Sequence, residues 1–418
     1  MHILFLTDNF PPEVNAPASR TFEHSREWVR AGHDVTVITC APNFPKGKVY
    51  DGYRNRLWQS EMMEGVRVIR VWTYITANDG FVKRILDYQS FMASAAIAAL
   101  FVRRVDVVIA TSPQFFTACA GWMVGALKRI PFVFELRDLW PESIKAVGAM
   151  RDSWVLRLLE RIEMFLYRKA AAIITVTHSF KRILVERGID AAKIQVVTNG
   201  VDMTQFTPRP KDEGLLASMG LQGQFVAGYV GTHGLAHQLE TILDAATLLS
   251  KTPKGNDFHF VMLGDGARKQ ALRAEAAKRG LTNVTFVDSV AKAEVPGYWS
   301  LLDVSIIHLR KTALFTTVIP SKLFECMGMG IPVLHGVEGE SADIVRAEDV
   351  GVTFEPESAE SLVACLMALQ ADSRRYRELK FNCGVAAQKY DRRALASLAL
   401  VSLRRCVTAS LNNGGCGR

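Results

Sequence analysis

Short apolar runs alternate with longer segments of helical periodicity along this chain, and the alternation starts twice. Apolar runs separated by helices are typical of parallel strands joined by helical crossovers. The first series of predicted strands is 2–6, 34–39, 66–71, 105–110, 132–135, 172–176 and 194–197, with helices that include 18–31 and 154–170. The second series is 225–230, 258–263, 284–287, 304–307, 332–334 and 351–354. The pattern predicts an α/β protein with two doubly wound parallel sheets.

The pattern is interrupted near residue 205. Asn199-Gly200-Val201-Asp202 predicts a turn, and Pro208 and Pro210 follow it and stop regular structure. We therefore expect a first domain over residues 1–205 and a second over residues 206–384. The stretch 376–408 is predicted to be helical, and a helix at about 385–410 is expected to pack back on the first domain.

Composition excludes several classes of protein. The seven cysteines form no C-x-x-C pair, which argues against a disulfide framework and a structural zinc site and favours a reducing cytosol. The N-terminus reaches Asp8 after a short apolar run without basic residues, so we expect a strand there and no signal peptide.

One apolar stretch, 91–102, raises the question of membrane contact. It is shorter than the roughly 20 residues of a membrane-spanning helix, so we expect no transmembrane helix. A buried core helix is the favoured interpretation. The alternative is a helix lying in an anionic membrane interface, because Lys83-Arg84 precedes the stretch and Arg103-Arg104 follows it.

The net charge of +8 lies mostly in the first domain. Residues 1–205 contain 26 Lys and Arg against 20 Asp and Glu, a balance of +6. Such a modest excess favours phosphate-bearing ligands or an anionic bilayer, and it is too diluted by acids for a nucleic-acid-binding surface.

The loop after the first predicted strand is a candidate binding site, because ligands bind outside the carboxyl ends of parallel strands. It runs from Asp8 into a helix whose free backbone N–H groups could hold a phosphate or carboxylate. Asn15 and Arg20 are the candidate acceptor- or phosphate-binding residues of this loop, with Arg20 expected at the mouth of the helix. The alternative is a proline-rich connection of structural role only.

The loop after strand 132–135 holds the densest polar cluster of the first half. Its candidate catalytic residues are Arg137, Asp138 and Glu142. Either carboxylate could serve as base for an acceptor hydroxyl or hold an arginine. A structural pair between Arg137 and Asp138 is the alternative.

Two glycine loops follow consecutive strands of the second domain. They are Gly231-Thr232-His233-Gly234 and Gly264-Asp265-Gly266. Glycine is used where the backbone approaches a ligand closely or adopts positive φ. Together the loops predict a nucleotide-phosphate site lined by backbone amides.

The segment 320–333 predicts a helix that carries ligand-binding side chains. Ser321 could cap it, Lys322 lies in its first turn, and Glu325 lies one turn later on the same face. A cation for phosphate and a carboxylate for ribose hydroxyls would then be neighbours. The alternative is a surface ion pair.

These motifs resemble those of the GT-B glycosyltransferases of family 4, and the resemblance covers nearly the whole chain. Its marks are Phe10-Pro11-Pro12-Glu13, 32–37, 199–202 with Phe206 and Pro208, Gly264-Asp265-Gly266 and 320–333. The resemblance implies two Rossmann-like domains that face a cleft. The segment 137–143 is similar, more narrowly, to bacterial surface-polysaccharide enzymes, including those that transfer N-acetylfucosamine-type sugars.

The resemblance also implies roles for individual residues. Glu325 corresponds to the second glutamate of the family's E-x7-E motif, which binds the nucleotide ribose, and Ser321, Lys322 and Leu323 would lie with it at the nucleotide. Thr317 occupies the place of the first glutamate, which normally contacts the donor sugar. The Arg and Lys that many members place just after Gly231–Gly234 are also missing. Phosphate binding would then depend on Lys322, backbone amides and Arg20 or Arg310.

The resemblance implies a retaining transfer of a sugar from a nucleotide diphosphate, expected to be UDP-linked, to a lipid-linked or lipopolysaccharide glycan. We expect neither a cofactor nor a metal, and a cytoplasmic location with peripheral contact to the inner face of the membrane. Two alternatives remain open: a nucleotide-sugar epimerase of GT-B architecture and a non-catalytic pseudo-transferase subunit. A nicotinamide oxidoreductase is disfavoured because the chain lacks a G-x-G-x-x-G fingerprint.

Overall fold

The computed structural model describes residues 1–44, 47–76, 81–112, 114–139 and 154–414. The chain forms two compact units, one of Met1–Thr198 with Arg392–Arg418 and the other of Asn199–Asp391. Each unit contains a predominantly parallel sheet with helices packed on its faces, which confirms the predicted fold class.

The units divide at Thr198, before the predicted boundary near residue 205. The reason is that Val201 and Phe206 are buried in the hydrophobic core of the second unit. The amide of Val201 donates to the carbonyl of Tyr390, and Val201 pairs with Asp391. The helical stretch predicted at 376–408 is accordingly two helices, separated at the point where the chain leaves the second unit.

The first unit has an eight-stranded sheet in the order β3-β4-β2-β1-β5-β6-β7-β8. Its strands are β1 His2–Leu6, β2 Asp34–Cys40, β3 Trp58–Met63, β4 Val66–Val71, β5 Val107–Thr111, β6 Phe132–Leu136, β7 Ala172–Thr175 and β8 Ile194–Val196. All neighbours are parallel except β3, which runs antiparallel to β4. β3 was not predicted because it is an exposed edge strand without a continuous apolar run.

Helices cover both faces of this sheet. Their bounds are α1 Ala16–Arg30, α2 Phe81–Phe101, α3 Phe115–Lys128, α4 Trp154–Lys169, α5 His178–Glu186 and, from the end of the chain, α14 Arg392–Gly414. Helices α1 and α14 pack on one face and the other four on the opposite face. Trp28 of α1 donates from its indole nitrogen to the carbonyl of Ala396 at 2.8 Å, so the C-terminal helix is fixed to the first unit.

The second unit has a six-stranded parallel sheet in the order β11-β10-β9-β12-β13-β14. Its strands are β9 Phe225–Val230, β10 Phe258–Leu263, β11 Val284–Val287, β12 Val304–His308, β13 Val333–Gly336 and β14 Gly351–Thr353. Its helices are α6 Glu213–Ser218, α7 Glu240–Ser250, α8 Lys269–Lys278, α9 Val295–Ser300, α10 Lys322–Met329, α11 Glu340–Ala347, α12 Ala359–Ala371 and α13 Ser373–Lys389.

Helix α2 begins ten residues before the apolar stretch 91–102 and ends at Phe101, so it contains all of the stretch except Val102. Its inner side, including Phe91, Ala95 and Ala99, is buried in the core, as the favoured interpretation requires. Within the described part of the chain, Arg392–Asn412 of α14 has the length and apolar composition of a membrane span, with a mean hydropathy of 1.4. Because core helices share this composition and α14 packs on α1, it is weak evidence for a span.

Each sheet has a topological switch point, where neighbouring strands are connected in opposite directions. It lies between β1 and β5 in the first sheet and between β9 and β12 in the second. Ligands of open α/β sheets bind in the crevice at the carboxyl ends of such strands. The two switch points are therefore the expected locations of ligand-binding residues.

Candidate functional site

Two polar side chains meet at the switch point of the first unit. Asp8 follows β1 and Gln114 follows β5, and Gln114 Nε2 donates to Asp8 Oδ2 at 2.8 Å. Burial, together with the nearby carboxylates of Asp87 and Glu13, raises the pKa of Asp8 to about 8. A carboxyl group that titrates near neutral pH can accept a proton from a ligand hydroxyl or donate one to an anion.

Asn15 and Arg20 have structural roles beside this switch point. Asn15 caps α1, because its Oδ1 accepts from the amide of Ala18 at 2.8 Å. Arg20 was expected at the mouth of the helix, but its side chain is only 3% exposed. It donates to Glu135 Oε1 at 2.9 Å and to the carbonyls of Val197 and Thr198 at 2.9 and 2.6 Å. These bonds engage all three of its nitrogens, so Arg20 does not supply a phosphate contact.

The loop after β6 is attached to the neighbouring strand β5. Ser112 Oγ accepts from the amides of Arg137 and Asp138 at 2.8 and 3.3 Å. The negative charge of Asp138 acts to raise the pKa of Arg137, so the two side chains interact electrostatically and the structural pair remains an alternative to a catalytic role. Glu142 lies outside the described residues.

The guanidinium of Arg137 is buried close to other charged side chains. Its Nε and Nη1 atoms are buried and have no hydrogen-bond partner among the described residues. Burial lowers the pKa of Arg137 to about 10, opposed by Glu135 and assisted by the positive charges of Arg20 and Arg392. Arg137 is thus a cation with donors available to an anionic group.

The two glycine loops of the second unit pack against each other. Gly264 has φ of 142°, and a Cβ there would lie 1.9 Å from the carbonyl oxygen of Gly231. Gly266 has φ of 155°, and its Cβ would lie 2.5 Å from the carbonyl oxygen of His233. The sequence predicted that these glycines adopt positive φ or let the backbone approach a ligand closely. Positive φ is observed, but the backbone of each glycine approaches the neighbouring glycine loop.

Four backbone amides of the expected phosphate site are already bonded within the protein. The amides of Gly231, His233 and Gly264 donate to Leu263, Asp265 and Val287 carbonyls, and that of Gly266 donates to its neighbour's carboxylate. The carbonyl of Thr232 accepts from the Tyr229 hydroxyl. The His233 ring is fully buried, and burial lowers its pKa to about 4, so it carries no charge at neutral pH.

A groove of about 380 Å³ lies at the switch point of the second unit. It is lined by Leu235, Gln238, Glu240, Arg268 and Arg310. Arg268 forms an ion pair with Glu240. Partial burial alone would raise the pKa of Glu240, but the hydrogen bond from Arg268 and the charges of both arginines lower it below the ordinary value.

Arg310 is the cation of this groove that remains available. Arg310 follows β12, and its backbone amide donates a 2.9 Å hydrogen bond to the carbonyl of Ala236. Within the described ranges, its guanidinium has no ion-pair partner, and the residue is exposed. An unpaired arginine at the switch point suits a phosphate, which accepts two parallel N–H bonds from a guanidinium.

Helix α10 begins after β12 and carries the other predicted donor-binding residues. Lys322 Nζ lies 2.8 Å from Glu325 Oε2, so the two side chains share one face and form the ion pair considered above. Glu325 is 8% exposed. Ser321 precedes the helix, and its hydroxyl makes no capping bond. Leu323 is fully buried with its amide donating to the carbonyl of Pro320, so its side chain offers no ligand contact.

Comparisons with known proteins identify the fold and the reaction class. Residues 15–200 match the family described as "Glycosyl transferase 4-like domain", and residues 224–372 match "Glycosyl transferases group 1". The chain belongs to the GT-B glycosyltransferases. Its matched domains agree with the family 4 resemblance and with an enzyme that acts on nucleotide sugars.

One curated relative of this GT-B glycosyltransferase is the putative colanic acid biosynthesis glycosyl transferase WcaI of Escherichia coli. The two are 25% identical over 377 residues, which is 87% of this chain and 91% of the relative. Sucrose-phosphate synthase from Thermosynechococcus elongatus has the same fold, with a TM-score of 0.75 at 17% identity over 98% of this chain and all of the other.

A second solved structure is Anabaena HepE in complex with UDP. Its TM-score is 0.70 at 17% identity, covering 97% of this chain and 100% of that one. At this identity the two structural likenesses establish the fold alone.

The structure also places candidate binding residues at the two switch points that sequence reasoning on this GT-B glycosyltransferase missed. Asp8 and Gln114 were not singled out, although each lies within three residues of the end of a strand of the switch point. Glu240 is the first residue of α7 and Arg268 immediately precedes α8, and neither belongs to a motif singled out above. Only the strand order, which brings these loops together, could have pointed to them.

Proposed function

We propose that this glycosyltransferase transfers a sugar, with retention, from a UDP-linked donor to a lipid-linked or lipopolysaccharide glycan. In the reaction the bond between the anomeric carbon and the diphosphate oxygen breaks, and a glycosidic bond to an acceptor hydroxyl forms. The departing phosphate oxygen takes the proton of that hydroxyl. The observation that carries the proposal is the unpaired Arg310 at the switch point of a unit that matches a glycosyltransferase family.

The donor diphosphate would bind the second unit through Arg310 and Lys322. Arg310 needs no rearrangement, because none of the described carboxylates forms an ion pair with it. Lys322 would exchange its contact with Glu325 for a phosphate oxygen, and the released Glu325 carboxylate would accept from the ribose hydroxyls. Two cations can neutralise the leaving diphosphate, so the proposal requires no metal and no cofactor.

The acceptor would bind the first unit at the ends of β1, β5 and β6. Asp8 with Gln114 would receive the acceptor hydroxyl, and Arg137 would contact an anionic group of the acceptor such as its lipid phosphate. Asp138 is fixed by Ser112 at the same strand ends and would orient the acceptor. We propose an N-acetylated amino sugar such as N-acetylfucosamine as the first donor to test, on the narrower resemblance of 137–143. The described residues and the relatives offer no support for an epimerase or a non-catalytic subunit.

The test is binding of nucleotides to the full chain by thermal shift and calorimetry. UDP should raise the melting temperature, since a ligand that binds only the native state stabilises it, whereas ADP and NAD should not. Arg310→Gln should weaken UDP binding about ten- to hundredfold. The matched control is Arg346→Gln, an exposed arginine of α11, which should bind UDP normally. If GDP alone raises the melting temperature, the donor is GDP-linked and not UDP-linked. If Arg310→Gln binds UDP with unchanged affinity, the proposed phosphate site is refuted.

A further inference from the structure

The last turn of α2 exposes large apolar side chains to solvent. Ile97, Leu100 and Phe101 are 60, 48 and 70% exposed, although the residues of the same helix that face the sheet are buried. Leu100 and Phe101 end the helix. Nothing in the described core requires three large apolar residues at this place.

Two neighbouring elements extend this apolar surface. The ring of Trp58, at the start of β3, meets that of Phe101 edge to face, with centroids 6.4 Å apart. Lys128, the last residue of α3, donates from Nζ to the carbonyls of Leu100 and Val102 at 3.2 and 2.9 Å. The residue before it, Leu127, is 65% exposed. We call the surface formed by Leu57, Trp58, Ile97, Leu100, Phe101 and Leu127 the α2–β3 face.

The three segments that form the α2–β3 face are basic. They are 54–58, 97–104 and 127–130, and they contain Arg54, Arg56, Arg103, Arg104, Lys128 and Arg129 but no acidic residue. The five arginines are exposed. In a chain whose acids nearly balance its bases overall, such a local excess produces a positive surface around the apolar side chains.

We propose that the α2–β3 face binds the surface of an anionic lipid bilayer. Its apolar side chains would enter the boundary between headgroups and acyl chains, and the arginines around them would contact lipid phosphates. A second copy of the chain fits this surface less well, because six cations would face six cations. The inference rests on the proposed function in one respect: it supplies the surface at which a lipid-linked acceptor is met.

This surface refines the expectation for the stretch 91–102. The inner side of the stretch forms the core, so only its outer side is free to meet a membrane. Contact is confined to its C-terminal turn and to residues of β3 and α3 that are distant in sequence.

Co-sedimentation of the full chain with lipid vesicles tests the proposal without donor or acceptor. The protein should bind vesicles of phosphatidylglycerol mixed with phosphatidylcholine, less at high salt, and should not bind phosphatidylcholine alone. Replacing both Arg103 and Arg104 by Gln should weaken binding about twenty- to thirtyfold. Leu127→Ser should weaken it about tenfold.

Matched controls lie on α14, which covers the opposite face of the same sheet. The first control replaces both Arg404 and Arg405 by Gln, and these are another exposed adjacent pair of arginines. The second is Leu411→Ser, since Leu411 is 70% exposed. Both should bind vesicles as the unaltered chain does, and circular dichroism verifies that every variant is folded.

Three outcomes would overturn the proposal. The first is binding to phosphatidylcholine alone that equals binding to the anionic vesicles. The second is that the α14 variants lose vesicle binding while the α2–β3 variants keep it. The third is that the chain binds no vesicles and forms a dimer in solution that Leu127→Ser abolishes. UDP binding is measured separately on each variant, so loss of the lipid surface is distinguishable from failure of the proposed transferase.

Discussion

Gln114 Nε2 and Asp8 Oδ2 lie 2.8 Å apart and join the ends of β1 and β5, the two strands of the first switch point. The hydrogen bond fixes a carboxyl group whose pKa is raised to about 8 by burial and by the carboxylates of Asp87 and Glu13. Because the amide donates and the oxygen accepts, the contact is compatible with either protonation state of Asp8.

Asp8 should make the chain less stable as the pH rises. Its pKa in the folded chain is above the ordinary value of 3.8, so the folded state holds a proton that the unfolded state has released between pH 4 and 8. Its stabilisation is therefore present below pH 4 and is lost as the pH rises to 8. Between pH 6.5 and 8 the unaltered chain should lose about 1–2 kcal/mol through this group. Asp8→Asn should remove that loss, as measured by urea unfolding at both pH values. An Asn variant with the same pH dependence as the unaltered chain would contradict the raised pKa.

Arg20→Leu tests the structural role that the buried ion pair assigns to this residue. Removing the guanidinium leaves Glu135 buried without its partner and two carbonyls without donors. The free energy of unfolding should fall by about 3–5 kcal/mol. Arg30→Gln is the control, since Arg30 is 52% exposed in its pair with Glu27 and should contribute less than about 1 kcal/mol. A stable Arg20→Leu variant that has lost only ligand binding would restore the predicted phosphate role.

Gly264→Ala tests whether the two glycine loops of the second unit need each other. At φ of 142° the new methyl group would lie 1.9 Å from the Gly231 carbonyl oxygen, so the loops have to separate. We expect a loss of about 3 kcal/mol or more of unfolding free energy. Gly280→Ala serves as control, because φ of 65° is also strained there but nothing lies within 4 Å, and it should cost about 1 kcal/mol. Equal effects of the two substitutions would show that conformation alone requires Gly264.

The sequence predicted the strands and the fold class because buried parallel strands such as β1, β9 and β10 are continuous apolar runs, whose bounds agree with those observed. It missed β3, whose edge position leaves it half exposed. The predicted boundary near residue 205 lies after the observed division at Thr198, because Val201 and Phe206 pack into the core of the second unit. Local composition does not reveal such a contact.

The candidate sites were harder to predict than the fold. The motifs correctly indicated loops that follow strands, among them the loop of Arg137 and Asp138 and the two glycine loops. They could not tell which groups are already bonded within the protein. Arg20 and the Gly231 amide have internal partners, whereas Arg310 has no ion-pair partner in the described ranges, and these differences arise from residues far away in sequence. Pairing of this kind is decided by packing and topology.

Glu325→Gln separates a ribose contact from a structural effect. In the absence of ligand, Glu325 neutralises Lys322 at 2.8 Å, so the substitution removes an ion pair whether or not the carboxylate meets a nucleotide. If the carboxylate accepts from ribose hydroxyls, the variant should bind UDP about tenfold more weakly, while its affinity for 2′,3′-dideoxy-UDP should match that of the unaltered chain. Calorimetry with both ligands gives this comparison. An equal loss of affinity for the two nucleotides would mean that Glu325 acts only by positioning Lys322. The reference for that outcome is Lys322→Gln, which should weaken the binding of both nucleotides alike.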